Sequence, residues 1–274
     1  PSCNYGICLK ASKEGSMYSS YCANVAFASS NTTNGGARPY LVVEYRNCVG
    51  LEDYYTHQSH SVRRAGTGYI GDYSGQLTLS KGITSSASTI NPVDIALVYN
   101  SAYSDREFTI FEGGAHTYPN LKLGHGWKLN IEQSMCLAEE GYIMHVDADG
   151  TTHFFYNDGG TYKDEDGLGL TVTKNSENYT MTDKKDNVSY FENRRLKYVQ
   201  DANGNRITFM FNSLDQITSV VRQNTGASSE TIATFAYDAN NYLISVTDSA
   251  NNVTSFTRNS SNQITGITHP DGTS

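Results

Sequence analysis

The last third of this 274-residue chain repeats itself, and the period of the repeat leaves few folds open. Four stretches align on apolar anchors: Arg195-Leu196-Lys197-Tyr198-Val199, Gln216-Ile217-Thr218-Ser219-Val220, Tyr242-Leu243-Ile244-Ser245-Val246 and Gln263-Ile264-Thr265-Gly266-Ile267. The anchors Leu196, Ile217, Leu243 and Ile264 stand 21, 26 and 21 residues apart, and the long interval contains the polar insert Gln223-Asn224-Thr225-Gly226-Ala227-Ser228-Ser229. Between the anchors lie Ile207-Thr208-Phe209-Met210-Phe211, Thr234-Phe235-Ala236-Tyr237 and Val253-Thr254-Ser255-Phe256, each ending in an aromatic. A unit of about 21 residues holds two strands of five to seven residues and two turns. One such hairpin cannot bury its apolar face, but hairpins joined edge to edge form a sheet that curls over itself.

The rest of the chain reads as strands too. Apolar and polar residues alternate in Tyr40-Leu41-Val42-Val43-Glu44-Tyr45, Gln76-Leu77-Thr78-Leu79 and Ile95-Ala96-Leu97-Val98-Tyr99, and Gly, Asn, Asp or Ser closes each burst. The best helical stretch, Met135 to Gly141, is too short to matter. With 20 Tyr, 10 Phe and 24 Gly against 5 Pro, the composition supplies residues for half-buried pleated surfaces and for positive-φ turns. The expected class is all-β: short antiparallel strands and hairpins, a partial β-sandwich, then a curled repeat sheet that begins a β-shell.

Charge and apolar run length exclude several roles. The net charge is −8, and the longest basic groupings are the pairs Arg63-Arg64 and Arg194-Arg195. Nucleic-acid binding needs a dense basic face, so no nucleic-acid partner is expected. No apolar run approaches the roughly 18 residues of a membrane span. The chain opens at Pro1-Ser2-Cys3 without an initiator Met or signal peptide, which predicts a piece of something longer. Cys3, Cys8, Cys22 and Cys48 fit either one or two disulfides with a thiol left over or buried free thiols; Cys136 reads as a core residue.

Tyr237-Asp238, followed by Leu243-Ile244-Ser245-Val246-Thr247-Asp248, resembles the YD repeat of bacterial Rhs proteins, related to the shell of animal teneurins. Pro92-Val93-Asp94-Ile95-Ala96-Leu97-Val98-Tyr99-Asn100-Ser101 and Gly124-His125-Gly126-Trp127 resemble the elements that precede such repeats. Arg38-Pro39-Tyr40-Leu41-Val42-Val43-Glu44-Tyr45 and Asn4-Tyr5-Gly6-Ile7-Cys8-Leu9-Lys10 resemble the final strands of a DNRLRE β-sandwich. The resemblance implies four parts: the end of a DNRLRE-like sandwich over 1–50, linking strands over 51–90, the N-terminal shell region over 91–190, and YD repeats over 191–274. In relatives the shell encloses a C-terminal toxin or effector; residues 1–274 contain no Asp-Pro-x-Gly-Leu motif, and they are expected to be the opening part of such a shell.

The motifs that suggest chemistry have structural readings beside them. Gly66-Thr67-Gly68-Tyr69-Ile70-Gly71 matches the dinucleotide fingerprint, but turn and strand text follows where a helix is required. His57 and His60, three apart on a strand, face opposite sides and cannot easily grip one metal. The acidic turns Asp147-Ala148-Asp149-Gly150 and Asp164-Glu165-Asp166-Gly167 offer Asp147, Asp149, Asp164 and Asp166 as weak calcium ligands, yet hairpin turns use the same residues for backbone reasons. Trp127, Tyr54 and Tyr55 are candidates for stacking on sugars, against a packing role in a layered core. No catalytic residue and no organic cofactor is expected.

The chain is therefore expected to be a non-catalytic structural segment of a secreted or cell-surface Rhs protein. The alternative is a surface adhesin or carbohydrate-binding module that self-assembles through open sheet edges. In either case the last strand, Gln263 to Thr268, is expected to present an unpaired edge to further segments of the parent protein or to identical chains.

Overall fold

The computed structural model of the chain describes residues 33, 50–51, 56–72, 74–86, 88–104, 122–138 and 141–274. The chain divides into the units Pro1–Arg46 and Asn47–Ser274, and the architecture below belongs to the second. The expected all-β class is what the described residues show; Arg63–Ala65 and Ser101–Tyr103 form short 3-10 turns.

The first sheet contains β1 (His57–Ser61), β2 (Thr67–Gly71), β3 (Leu77–Ser86), β4 (Val93–Asn100) and β5 (Trp127–Leu129), antiparallel and in chain order. The linking strands expected before residue 90 thus pair directly with β4, from Thr78 opposite Asn100 to Ser86 opposite Val93. The second sheet has fourteen strands. Its first half comprises β6 (Ser134–Leu137), β7 (Ile143–Val146), β8 (Thr152–Asp158), β9 (Thr161–Asp164), β10 (Thr171–Asn175), β11 (Asn178–Thr182) and β12 (Val188–Glu192). Its second half comprises β13 (Arg195–Gln200), β14 (Arg206–Phe211), β15 (Ile217–Gln223), β16 (Glu230–Tyr237), β17 (Leu243–Asp248), β18 (Val253–Arg258) and β19 (Ile264–Thr268). Met135, offered as the start of a short helix, instead sits in β6, where all four residues pair with β7 and strand pairing overrides local preference.

Strand β13 is the junction. One edge pairs with β12 along its whole length; on the other, Arg195 pairs with Ser134 of β6, and Tyr198, Val199 and Gln200 pair with β14. Strands β6 to β13 therefore close into a ring, and the repeat sheet grows away from it through β14. The repeat anchors stand at the first or second position of alternate strands: Leu196 in β13, Ile217 in β15, Leu243 in β17 and Ile264 in β19.

A recurrent local device curls the repeat sheet. The register slips between Met210 and Phe211, between Ala236 and Tyr237, and between Thr257 and Arg258. Such bulges bend a strand and raise its twist. The residue after each bulge, Asn212, Asp238 or Asn259, accepts the amide N–H groups two and four positions on. One position before the turn closes, Asp215, Asn241 and Asn262 take φ near +60° (61°, 69° and 61°), which Asn and Asp tolerate better than other side chains. The Tyr-Asp signature is thus a bulge residue followed by a turn-opening acceptor. Tyr237 adds a tie by donating its hydroxyl to Ile217 O at 2.9 Å.

One apolar cluster runs through both sheets, from Val93, Ile95 and Leu97 of β4 to Leu243, Val246 and Phe256 of the repeats. Burying each such side chain contributes about 1.5–3 kcal/mol. Arg222 of β15 ties the two sheets by donating to Ser86 Oγ of β3, and Arg258 of β18 donates to the carbonyls of Leu123, in the segment before β5, and of Leu243 in β17. On its far edge β19 has no strand partner among the described residues.

Candidate functional site

The densest group of buried ionisable side chains lies at the start of the ring, around the β7–β8 hairpin. Its turn is built by Asp147, whose Oδ1 accepts the amides of Asp149, Gly150 and Thr151 at 3.1, 3.1 and 2.9 Å. Asp149 accepts Thr151 N–H and hydroxyl on Oδ1, and Leu51 N–H on Oδ2 at 3.0 Å. The hairpin places His145 of β7 opposite His153 of β8, with the rings stacked at 5.7 Å.

His153 is 3% exposed and lies between two carboxylates. Its Nδ1 is 3.0 Å from Asp166 Oδ2, and its Nε2 is 3.4 Å from Asp147 Oδ2. A neutral imidazole donates from one nitrogen only; donation to both acids requires the imidazolium. Asp147 is held below the usual carboxylate range: burial opposes its ionisation, but the His153 hydrogen bond and the Lys128 charge outweigh it. Lys128 of β5 is buried and donates to Asp147 O; burial lowers its pKa against the pull of Asp147, Asp149 and Glu132. Glu132 is pushed up to about 7 by burial, while Leu129 N–H, Arg195 and Lys128 oppose the shift. His145 meets Gln133 Oε1 at 3.1 Å through Nε2 and the Phe191 ring edge-on at 5.4 Å. Its Nδ1 is buried without a hydrogen-bond partner, and burial pushes its pKa down to about 3.

This arrangement holds β5, the β7–β8 turn and the loop after β9 together. It is not poised for nucleophilic chemistry: the Thr151 hydroxyl donates to Asp149, and both nitrogens of His153 face carboxylates.

The residues singled out from the sequence fall in different places. Asp147 and Asp166, offered as calcium ligands on separate turns, meet at His153. Asp164 instead accepts the amides of Leu168, Gly169 and Leu170, which shapes its own loop. Among the described residues no group of three or more His, Cys, Asp or Glu side chains is arranged to hold a metal. Trp127 is half-buried and packs on Tyr99 at 5.2 Å, whereas Tyr54 and Tyr55 lie outside the described residues. His57 and His60 pair with Gly71 and Gly68, and His57 packs edge-on to Tyr69. The Gly66–Gly71 motif runs into β2 and then a turn to β3, with no helix. Cys136 is buried, its thiol pushed up to about 12 by burial; the other four cysteines lie outside the described residues.

The pairing of His145 with His153 escaped the sequence reading, though a signal for it exists. A turn from Asp147 to Thr151 is centred on residue 149, and residues equally distant from that centre face each other in a hairpin.

The fold defines an antiparallel β-repeat protein whose sheet partly closes on itself, without a catalytic constellation among the described residues. Residues 237–274 match the RHS Repeat family model, and the chain carries the Rhs repeat that its Tyr237-Asp238 signature pointed to. Over 114 residues, 39% of its length, it is 29% identical to the tRNA nuclease WapA of Bacillus subtilis strain 168. The tRNA3(Ser)-specific nuclease WapA of Bacillus spizizenii matches at the same identity and coverage. The chain spans 5% of the length of these curated relatives. Among solved structures, the TcdB2-TccC3-Cdc42 complex matches 74% of this chain and 10% of its own at 10% identity, with a TM-score of 0.27.

Proposed function

We propose that this chain forms part of the wall of a secreted or cell-surface Rhs protein, a non-catalytic β-shell segment that holds other parts of the same polypeptide. The observation that carries this reading is the single fourteen-stranded sheet, curled by bulges that recur with the repeat over one apolar core. The His153 cluster supports it, because its groups are spent on one another. The relatives bear nuclease names yet share only a small part of their length with this chain, so the enclosed cargo is proposed to be a toxic or effector segment elsewhere in the parent polypeptide.

Limited proteolysis of the parent protein tests the reading. The wall segment and the cargo behind it are expected to resist protease together, and the cargo to become cleavable once the wall is unfolded. A cargo cleaved equally fast with and without this chain overturns the enclosure. Hydrolysis of generic esters or glycosides by this chain, lost in His153→Gln, overturns the non-catalytic reading.

A further inference from the structure

The insert that lengthens one repeat from 21 to 26 residues joins β15 to β16 and is firmly seated. Thr225 donates its amide to Asn205 Oδ1 at 2.9 Å and its hydroxyl to Asn203 O at 2.8 Å. Asn205 is itself held by Asp201 through its side-chain amide at 2.7 Å. The insert thus leans on the neighbouring β13–β14 turn, and between them lies a cleft of about 260 Å³ lined by Gln200, Gly204, Arg206 and residues 223–226. The volume falls just below that of sites for drug-sized ligands and has room for one sugar ring. Gly204, at φ +85°, lets the facing wall approach; a Cβ there would meet Thr225 Oγ1 at 3.2 Å.

The lining is rich in donors and contains no carboxylate. The Arg206 guanidinium sits over the Tyr198 ring, with Cζ 4.0 Å from its centroid, and Tyr198 stacks on Tyr190 at 5.0 Å. Its Nε and one Nη both donate to Gln200 Oε1, at 2.9 and 2.5 Å, which fixes the plane and leaves the other Nη free to donate. A guanidinium fixed in this way is preorganised for a carboxylate. The amides of Gln200 and Gln223 offer further hydrogen bonds, and Asn224 Oδ1 is a buried acceptor with no partner. Asp201, the nearest acid in sequence to Gln200, directs its carboxylate to Asn203 and Asn205.

We propose that this cleft binds an acidic sugar residue, with its carboxylate on Arg206 and its hydroxyls on the carboxamides of Gln200, Gln223 and Asn224. The site is independent of what the sheet encloses. It also differs from the aromatic stacking expected at Trp127, because here the aromatic rings support the arginine instead of the sugar.

The test is chemical-shift mapping with D-glucuronate as the probe and neutral D-glucuronamide as its control. Saturable shifts are expected at the Arg206 Nε–H and at the side-chain amides of Gln200 and Asn224. Binding is expected to be at least tenfold weaker for glucuronamide and for Arg206→Gln. Asn224→Asp, which adds a carboxylate to the cleft and leaves the arginine stack untouched, is expected to weaken glucuronate equally while keeping the native spectrum. Absent shifts, shifts scattered over other surfaces, equal binding of the neutral amide, or undiminished binding by both variants would overturn the proposal.

Discussion

Along the repeats, from β14 to β18, the buried side chains are mostly apolar, among them Ile207, Phe209, Ile217, Val220, Ile232, Phe235, Leu243, Val246 and Phe256, with Arg222 and Thr254 the polar ones. Around the ring, β6 to β12, the inward set mixes Met135, Ile143, Phe155, Val172 and Phe191 with His145 and His153, and Lys128 of β5 closes on the β7–β8 turn. The repeats hold their geometry with identical local parts, a bulge and an acceptor-opened turn, each supported by its neighbours. The ring is closed by one non-local pairing at Arg195 and Ser134 and carries a buried ionisable cluster centred on His153. Repetition distributes stability over many similar contacts, whereas single closure makes it depend on a few unique ones.

Substitutions divide the two regions, the largest effect coming from the apolar side. Leu243→Ala removes a fully buried repeat anchor and is expected to cost about 4 kcal/mol in urea unfolding. Hydrogen exchange should place the lost protection in β15–β19 and leave β7 and β8 unchanged; equal loss in both regions would erase the distinction. His153→Ala leaves Asp147 and Asp166 facing an empty position and is expected to cost about 3 kcal/mol. Here the protection should be lost in β7, β8 and the loop after β9, with β17–β19 intact.

The pH dependence of stability also belongs mainly to the ring. His145 is neutral when folded, with its pKa pushed from 6.5 to about 3, so the unfolded chain binds the extra proton. Stability from this group is complete above pH 6.5 and falls as pH drops toward 3, by a few kcal/mol. Glu132, raised from 4.5 to about 7, acts in the opposite sense and loses its contribution as pH rises through that window. His145→Gln should remove the acid-side loss and Glu132→Gln the loss above pH 4.5, both read from urea midpoints across pH 3–8. Unchanged slopes would show that neither group is buried as described.

The repeats contribute at lower pH. Asp201 is held below its usual range by the Asn205 side-chain amide and by backbone N–H groups, so its contribution persists above pH 4 and is lost as pH falls through its folded value. The smallest effect concerns the signature itself. Asp238→Ala deletes the acceptor for Asn240 and Tyr242 N–H and should cost about 1 kcal/mol, whereas Asp238→Asn should be nearly neutral because Asn212 and Asn259 already do the same work. A large cost for the Asn variant would mean that charge, not acceptor geometry, makes the turn.

The same contrast explains what the sequence could reveal. The anchors Leu196, Ile217, Leu243 and Ile264 mark strand starts because the repeat is local, so alternation and turn residues determine it without distant information. The Gly, Asn, Asp and Ser residues that close each burst were legible as turn residues for the same reason. Ring closure at Arg195–Ser134 joins residues 61 apart and has no local signature. Asp147 and Asp166 were singled out for their charge, but their shared partner His153 depends on the β7–β8 register and the loop after β9. The insert at residues 223–229 appeared only as an interruption of the period; its seat on Asn203 and Asn205 depends on β13–β14 lying beside it.

The central claim is that these strands are a stretch of an enclosing wall, and the most direct measurement is a cryo-EM reconstruction of the parent protein. The account predicts the strand order β13 to β19 within a curved sheet, the free edge of β19 paired to further strands, and ordered or cargo density on its enclosed side. A separate solvent-surrounded lobe, with β19 unpaired and no enclosed volume, would contradict it.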